Sequence, residues 1–425
     1  MKKRTKSKPK RHPRRPRVQR RRQRRPEEAV IDLRRQIRQG LIEAIHQAVA
    51  ATARQLIEDE VVSLVGEPWS RKGDSPLRRG GYTETTIFLD GEPHLMRRAR
   101  VRDRDAGSEH PLMTLRALRS KDALDEDIKE RLVRGISTRN YEGALTSLSE
   151  GLGLKRSAVS AAFQRASQKD LDALNSRPLE RWTFAAVYID GTAFQDHTCV
   201  IAMGIAVDGT KVILGVREGA TENAQVVTDL LEDLQGRGLQ LVGPGLFIVD
   251  GAKALRSSIT SVFGRRALVQ RCHVHKMRNV AGYLPPRWQA ELRRRLRAAW
   301  GMATHADAHQ ALQDLVRWLG RLSESAAGSL REGLEETLTI HRLGIGGTLR
   351  RTLVTTNPIE SANDIVKAFA RRVKRWRGSS MVLRWVGSGL VKAESQFRRV
   401  KGHAAMPQLV AALESLSLND SKEVA

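Results

Sequence analysis

The chain has 425 residues, with 74 Lys and Arg against 47 Asp and Glu, a formal charge of +27. Apolar residues make up 40% and aromatics 4%, so a chain of this length is expected to hold two to four domains with mainly aliphatic cores. Two cysteines, Cys199 and Cys272, exclude a disulfide framework and fit a reducing, cytoplasmic setting. The longest apolar run, at about 199–207, is too short to cross a bilayer. The charged N-terminus has no apolar region behind it and does not read as a secretory signal. No repeat at solenoid periods is visible.

Residues 1–25 carry 15 of the basic residues, three prolines and no acid, leaving 59 basic against 47 acidic residues in the remainder. Dense like charge cannot bury a core, so this segment reads as a disordered arm. It serves either as a solubilising tail or as an arm that meets a nucleic-acid backbone, where each neutralised phosphate releases counterions. A basic body with a very basic arm points to a polyanion, usually nucleic acid. Leu33, Ile37, Leu41, Ile45 and Ala48 recur at helical spacing within 29–65. Pro and Gly break the pattern over 66–81. Weak alternation around Asp90-Gly91 predicts a hairpin over 82–102, with Arg97, Arg98, Arg100 and Arg102 on its second strand.

Helical periodicity returns over 112–170. Ser137 is a candidate N-cap for a helix over 138–150, Gly151-Leu152-Gly153 a turn, and Ser157 the cap of a second helix holding Ala158, Val159, Ala162 and Phe163. This is a helix-turn-helix outline near 137–165, whose second helix would offer Lys155, Arg156, Ser160 and Gln164 to a groove. An ordinary helical hairpin fits the same segment.

The pattern changes near Arg177-Pro178. Residues 184–190, 198–207 and 211–218 are three β-rich runs. A helix is expected at 222–236, an apolar strand at 246–250, a helix from 252, a short strand at 268–270 and a helix at 273–282. Three antiparallel-type strands followed by alternating helix and strand is the order of a ribonuclease H-like α/β layer. Residues 285–345 read as helical and basic. A later helix is expected from Asn357 to about Trp376, and another after Gly378.

Two runs share one form, an apolar strand closing on Asp-Gly: Asp190-Gly191 and Asp250-Gly251. Such a strand delivers a carboxylate to the sheet edge where open α/β sheets hold their chemistry, and neighbouring strands would bring the pair to one divalent cation. Glu360, in 355–363, is the acidic residue on a late helix that would complete the set. It also fits a capping box, with Asn357 as N-cap, Pro358 first in the helix and Glu360 third. Three carboxylates can hold two Mg²⁺ ions for in-line displacement at phosphorus.

Residues 188–194 (YIDGTAF), 248–255 (IVDGAKAL), 269–279 (VQRCHVHKMRN), 329–338 (SLREGLEETL) and 355–363 (TTNPIESAN) occur in this order. With them, roughly residues 30–400 resemble the mutator-type bacterial insertion-sequence transposases, which carry an Asp-Asp-Glu triad. Residues 135–160 are similar to the family's DNA-binding region. The resemblance implies an α/β ribonuclease H-like catalytic domain (177–284 and 355–400) with an α-helical insertion (285–354). It implies a mainly α-helical DNA-binding region before it (26–176) and a C-terminal tail (401–425) after it. It assigns Asp190, Asp250 and Glu360 as catalytic metal ligands for Mg²⁺, with Mn²⁺ as a substitute. The partner would be double-stranded DNA, both element terminal inverted repeats and target, bound by a homodimer or larger assembly. Water and the DNA 3′-hydroxyl would be the nucleophiles.

The family's Cys-x-x-His pair, Cys272 and His275, implies support of the active site, with Asn279 beside it and Lys276 and Arg278 available to phosphates. Zinc would need about four ligands, and only His197 and Cys199 could complete the set. Trp288, Trp300 and Trp318 lie in the insertion, and Trp300 and Trp318 are expected to stack on a base, or else to pack in a core. Arg371, Arg372, Lys374, Arg375 and Arg377 surround Trp376 and would either follow a DNA backbone or form a solvated helix face. The competing reading is a non-catalytic DNA-binding regulator or an inactivated transposase derivative, for which charge and a helix-turn-helix suffice.

Overall fold

The computed structural model describes residues 26–69, 75–89, 92–119, 125–126, 128–130, 133, 156–219, 223–264, 267–371 and 373–423. The arm at 1–25, the expected helix and turn over 138–153, Lys155, Arg372 and the Arg156 side chain lie outside the described residues. The described chain divides into two compact units, one within residues 26–119 and one beginning at 125.

In the first unit, α1 (Pro26–Val65) runs for 40 residues, about 60 Å at 1.5 Å per residue. Leu33 and Ile37, which open the expected apolar stripe, are 55% and 62% exposed. The side chains of Leu41 and Ile45 lie outside the described residues; among those described, burial is carried by Ala53, Ile57, Val61 and Val65, at spacings of four, against Ile87, Met96, Ala99 and Val101. Those residues belong to a hairpin of β1 (Leu77–Leu89) and β2 (Glu92–Asp103), as the alternation predicts. Its register shifts between Arg79 and Tyr82, where Gly81 adopts φ +82°. A short β3 (Ser108–Glu109) pairs with β2, and Glu109 binds Arg98 at 2.7 Å and Arg100 at 2.9 Å. Two of the hairpin's arginines are thus held by a carboxylate. α2 (Met113–Arg119) begins with its Met113 and Thr114 N–H groups donating to the Glu60 carboxylate at 2.7 and 2.9 Å, which satisfies donors that a helix start leaves open.

The second unit opens on α3 (Arg156–Ser176). Ser157 therefore lies inside its first turn and is not its N-cap. Val159, Ala162 and Phe163 are buried with Ile128, and Phe163 meets Trp385 at a ring separation of 4.4 Å. A sheet follows: β4 (Thr183–Phe194), β5 (His197–Ala206) and β6 (Lys211–Glu218) pair antiparallel, and β8 (Leu246–Val249) and β9 (Leu268–Arg271) run parallel to β4. The spatial order is β6-β5-β4-β8-β9, with β7 (Gln240–Leu241) beside the start of β4. α4 (Ala224–Gly236) and α5 (Lys253–Phe263) cover one face.

The apolar runs are continuous because both faces are covered. Tyr188, Leu246 and Ile248 enter one core, while Val187, Ile189, Phe247 and Val249 enter the other. The first core is completed by α12 (Asn357–Ala370), α13 (Ser379–Glu394) and α14 (Met406–Glu423). Met406, Leu409 and Leu413 are fully buried there, so the stretch expected as a tail supplies a core helix. Its apolar residues recur at spacings of three and four, which is the reason.

α6 (His273–Gly282), α7 (Pro286–Trp300), α8 (His305–Gly320) and α9 (Glu324–Arg331) build a third cluster around Leu292, Leu296, Leu312, Leu319 and Leu330. α10 (Thr339–Arg342) and α11 (Gly347–Leu353) lead back to the sheet. The return is sewn to β9: Gln270 Nε2 donates to the Thr337 carbonyl at 3.1 Å, the Ile340 N–H donates to Gln270 Oε1 at 3.0 Å, and Thr339 Oγ1 donates to the Val269 carbonyl at 2.6 Å.

Candidate active site

Asp190 does not end its strand; β4 continues to Phe194, and Asp190 pairs with Ile201 of β5. It is β8 that stops. The parallel register sets Val187 beside Phe247 and Ile189 beside Val249, so the next residues of the two strands are Asp190 and Asp250. Both continue the side-chain parity of Tyr188 and Ile248 and belong to the face that α12 covers. Gly251 takes φ +103°, and a Cβ there would fall 2.9 Å from the Arg271 side chain, so both the turn and the close approach require glycine. The Ala252 N–H donates to Asp250 Oδ1 at 2.9 Å, closing that turn.

α12 brings the third carboxylate. Its N-cap position is Thr356, one residue before the expected Asn357. The capping box does not form: the Glu360 carboxylate accepts from Thr356 Oγ1 at 2.7 Å. Thr356 is fully buried, and its Oγ1 also lies 3.4 Å from Cys272 Sγ and 3.4 Å from His275 Nδ1. One hydroxyl has one proton and two lone pairs. The short contact to Glu360 and the longer one to Cys272 Sγ are the two acceptors open to that proton, and the lone pairs are free to accept from His275 Nδ1. His275 Nε2 stands 4.0 Å from Glu360 Oε1. A hydrogen bond with Cys272 holds the His275 imidazole above its usual range, against burial, with the charges of Asp250 and Asp190 adding to it. Burial would push the Cys272 thiol up, but hydrogen bonds with His275 and Thr356 bring it below its ordinary value.

One helical turn beyond Glu360 and two beyond Thr356, Asn363 Nδ2 donates to Asp190 Oδ2 at 2.9 Å. Asp190 is 8% exposed. Burial, and then the negative charges of Asp250 and Glu360, push its carboxyl up to about 6, with His275 opposing. Asp190 thus feels both of the other acids. Among the described residues, no three His, Cys, Asp or Glu side chains stand as a preformed metal cage.

The other expected site residues divide. Lys276 is 1% exposed, and its Nζ donates to the carbonyls of Ser329 and Glu332 at 2.8 and 2.5 Å. It fastens α6 to the end of α9 and is closed to phosphate. Arg278 and Asn279 are exposed on the same helix, and no described hydrogen bond joins Asn279 to the carboxylates. Trp300 is 7% exposed and stacks on His273 at 4.0 Å, with its Nε1 donating to Thr337 Oγ1 at 3.3 Å. It is a core residue and cannot receive a base. Trp318 is half-buried, edge-on to Trp288 and under the Arg295 guanidinium. Ser160 is half-buried, whereas Gln164 is exposed. His197 binds Glu218 at 2.7 Å and Cys199 is buried in the core.

α12 stops at Ala370, short of the expected Trp376. Successive like charges repel along a helix, and Trp376 is drawn against Phe194 and Trp385. Arg371, Lys374, Arg375 and Arg377 are exposed, and the Lys374 carbonyl accepts from Gln195 Nε2 at 3.5 Å, just past the end of β4.

Sequence reasoning missed Thr356 and Asn363. The available signal was a polar residue on the buried side of an amphipathic helix, between Ile359, Ala362 and Val366.

Comparison with known proteins gives a coherent result. The family described as Transposase, Mutator family, matches residues 23–400. The chain is 27% identical to the transposase for insertion sequence element ISRM5 of Rhizobium meliloti over 380 residues, 86% of this chain and 92% of that one. It is 25% identical to the IS905 transposase of Lactococcus lactis, covering 78% and 84% of the two chains. It is 24% identical to the transposase for IS256 in transposon Tn4001 of Staphylococcus aureus, covering 81% and 88%. The matched span takes in both Asp-Gly strands, the Cys-x-x-His helix and the helix of Glu360, and on that extent the chain belongs to the Mutator family of transposases.

Proposed function

We propose that this protein is a DNA transposase that binds the terminal inverted repeats of an insertion sequence and performs divalent-metal-dependent strand cleavage and strand transfer. The observation that carries the reading is the juxtaposition of Asp190 and Asp250 by strand register, on the face where α12 supplies Glu360. The strand order, with three antiparallel strands followed by two parallel ones, supports a ribonuclease H-like catalytic layer. The residues fit a hard cation such as Mg²⁺ or Mn²⁺. The charged donors are carboxylates, and Asn363 Oδ1 is a buried oxygen with no partner among the described residues.

Asp190, Asp250 and Glu360 would hold the metal, which when bound activates water or a 3′-hydroxyl and stabilises the leaving oxygen. The chain's own contribution is positional and electrostatic. Thr356 fixes one oxygen of Glu360, and Asn363 fixes one oxygen of Asp190. The crowded acids, with Asp190 buried, create a local demand for positive charge. Arg371, Lys374, Arg375 and Arg377 are suited to follow the phosphate backbone past this edge, and Arg278 and the arm at 1–25 add further contacts. Gln164 and Ser160 on α3 remain candidates for reading the repeat. The assembly on DNA is proposed as a dimer or larger, in the cytoplasm on the nucleoid.

The test is nicking of terminal-repeat DNA in Mg²⁺ by wild type and Asp190→Asn, with binding measured in parallel. Nicking should vanish in the variant while binding persists. Equal nicking by both proteins refutes the proposal.

A further inference from the structure

Asn363 is 3% exposed, on the side of α12 that packs on the sheet. A carboxylate only accepts hydrogen bonds, so its contact with Asp190 Oδ2 at 2.9 Å fixes the amide's orientation, with Nδ2 toward Asp190. Asn363 Oδ1 is then left buried and unpartnered among the described residues. Thr192, two residues along β4 from Asp190 and of the same parity, is 3% exposed, and its Oγ1 is also without a partner. Buried polar atoms are nearly always paired, and an orphan calls for a missing group. The two orphan oxygens thus belong to the residue that binds Asp190 and to one two residues along its strand, and Asp190 feels the charges of Asp250 and Glu360. Asn363 is also three residues from Glu360, so the same turn of α12 serves both acids.

We propose that Asn363 is part of the cation site: its amide N–H positions Asp190, and its Oδ1 supplies a further oxygen to the ion or to a water of its shell. This rests on the function proposed above. With Oδ2 engaged by the amide, Asp190 would offer Oδ1 to the ion. Thr192 Oγ1 takes a hydrogen bond from the same hydrated ion.

The experiment uses the full chain and Mn²⁺ alone, titrated calorimetrically, for wild type, Asn363→Ala, Asn363→Leu and Asp190→Asn. Loss of such a supporting group costs about 10–100-fold in metal affinity, so both Asn363 variants should bind Mn²⁺ at least tenfold more weakly. Leucine keeps the side-chain volume, so this variant should retain the wild-type circular dichroism spectrum and binding to terminal-repeat DNA in metal-free buffer. A role in packing alone would leave Mn²⁺ affinity in the folded leucine variant unchanged. Mn²⁺ affinity within twofold of wild type in a folded Asn363 variant, with affinity lost in Asp190→Asn, overturns the inference and leaves the function standing. Wild-type Mn²⁺ binding by Asp190→Asn overturns both.

Discussion

At Asp190, the proposed metal-binding role and stability pull in opposite directions. Burial and the neighbouring Asp250 and Glu360 raise its carboxyl from 3.8 to about 6 in the folded chain. The folded state therefore holds the proton more tightly than the unfolded one, and metal-free stability falls as pH rises from about 4 to about 6, then levels. At 1.36 kcal/mol per unit, the ionised carboxylate costs roughly 3 kcal/mol at neutral pH. Asp190→Asn should accordingly melt higher than wild type in chelator at pH 7.5, with the difference vanishing near pH 4. Thermal denaturation against pH checks this, and a variant that melts lower at pH 7.5 would contradict it. Thr356 carries a second residue-scale consequence. Thr356→Val removes the hydroxyl that holds Glu360 while keeping the volume, and it should slow Mg²⁺-dependent nicking about 10–100-fold. Thr356→Ser should recover most of that rate, whereas a purely steric role would make serine the worse replacement.

Among the elements, the position of Lys276 on α6 separates buried, structural charge from the exposed charge of Arg278. Its ammonium is buried beside Arg271, which lowers it to about 8, and it bridges two carbonyls of the 329–332 turn. Lys276→Met should destabilise the fold by about 1–3 kcal/mol, because those acceptors lose their donor. Affinity for DNA should stay as in wild type, while Arg278→Ala on the exposed side should weaken it. A chemical denaturation curve and a binding isotherm for each variant decide the matter. The same helix shows where sequence reading stops. The strands β4, β5, β6, β8 and β9 were legible within a few residues, because strands covered on both faces must be apolar throughout. The side of α6 or α7 that meets solvent was not legible, since it depends on which partner helix arrives. Lys276 and Trp300 look like ligand contacts in sequence, yet they are fasteners of the insertion. The sequence marks Asp190 and Asp250 alike as strand ends, but only β8 stops there, while β4 runs on to Phe194 because β5 stays paired with it. Glu360 looked like half of a capping box because Asn-Pro resembles a helix start; the helix begins one residue earlier, and Thr356 redirects the carboxylate.

Across the whole molecule, charge is divided between a body and an arm, and the division has a measurable signature. Of the +27, residues 1–25 hold 15 basic groups and no acid. Binding that neutralises phosphates weakens with salt in proportion to the number neutralised, about 0.9 in the log–log slope for each. Deleting residues 1–25 should therefore flatten the salt dependence of affinity by several units, and equally on terminal-repeat and random duplexes, because backbone contacts carry no sequence information. The described body retains its own exposed basic segment at 371–377, so binding should weaken without vanishing. Nicking at saturating DNA should persist, since Asp190, Asp250 and Glu360 all lie outside the deleted segment. An unchanged slope would assign the arm to solubility. A loss confined to the repeats would make the arm a reader of sequence, a role that its Arg-rich, acid-free composition does not favour over simple attraction to phosphate.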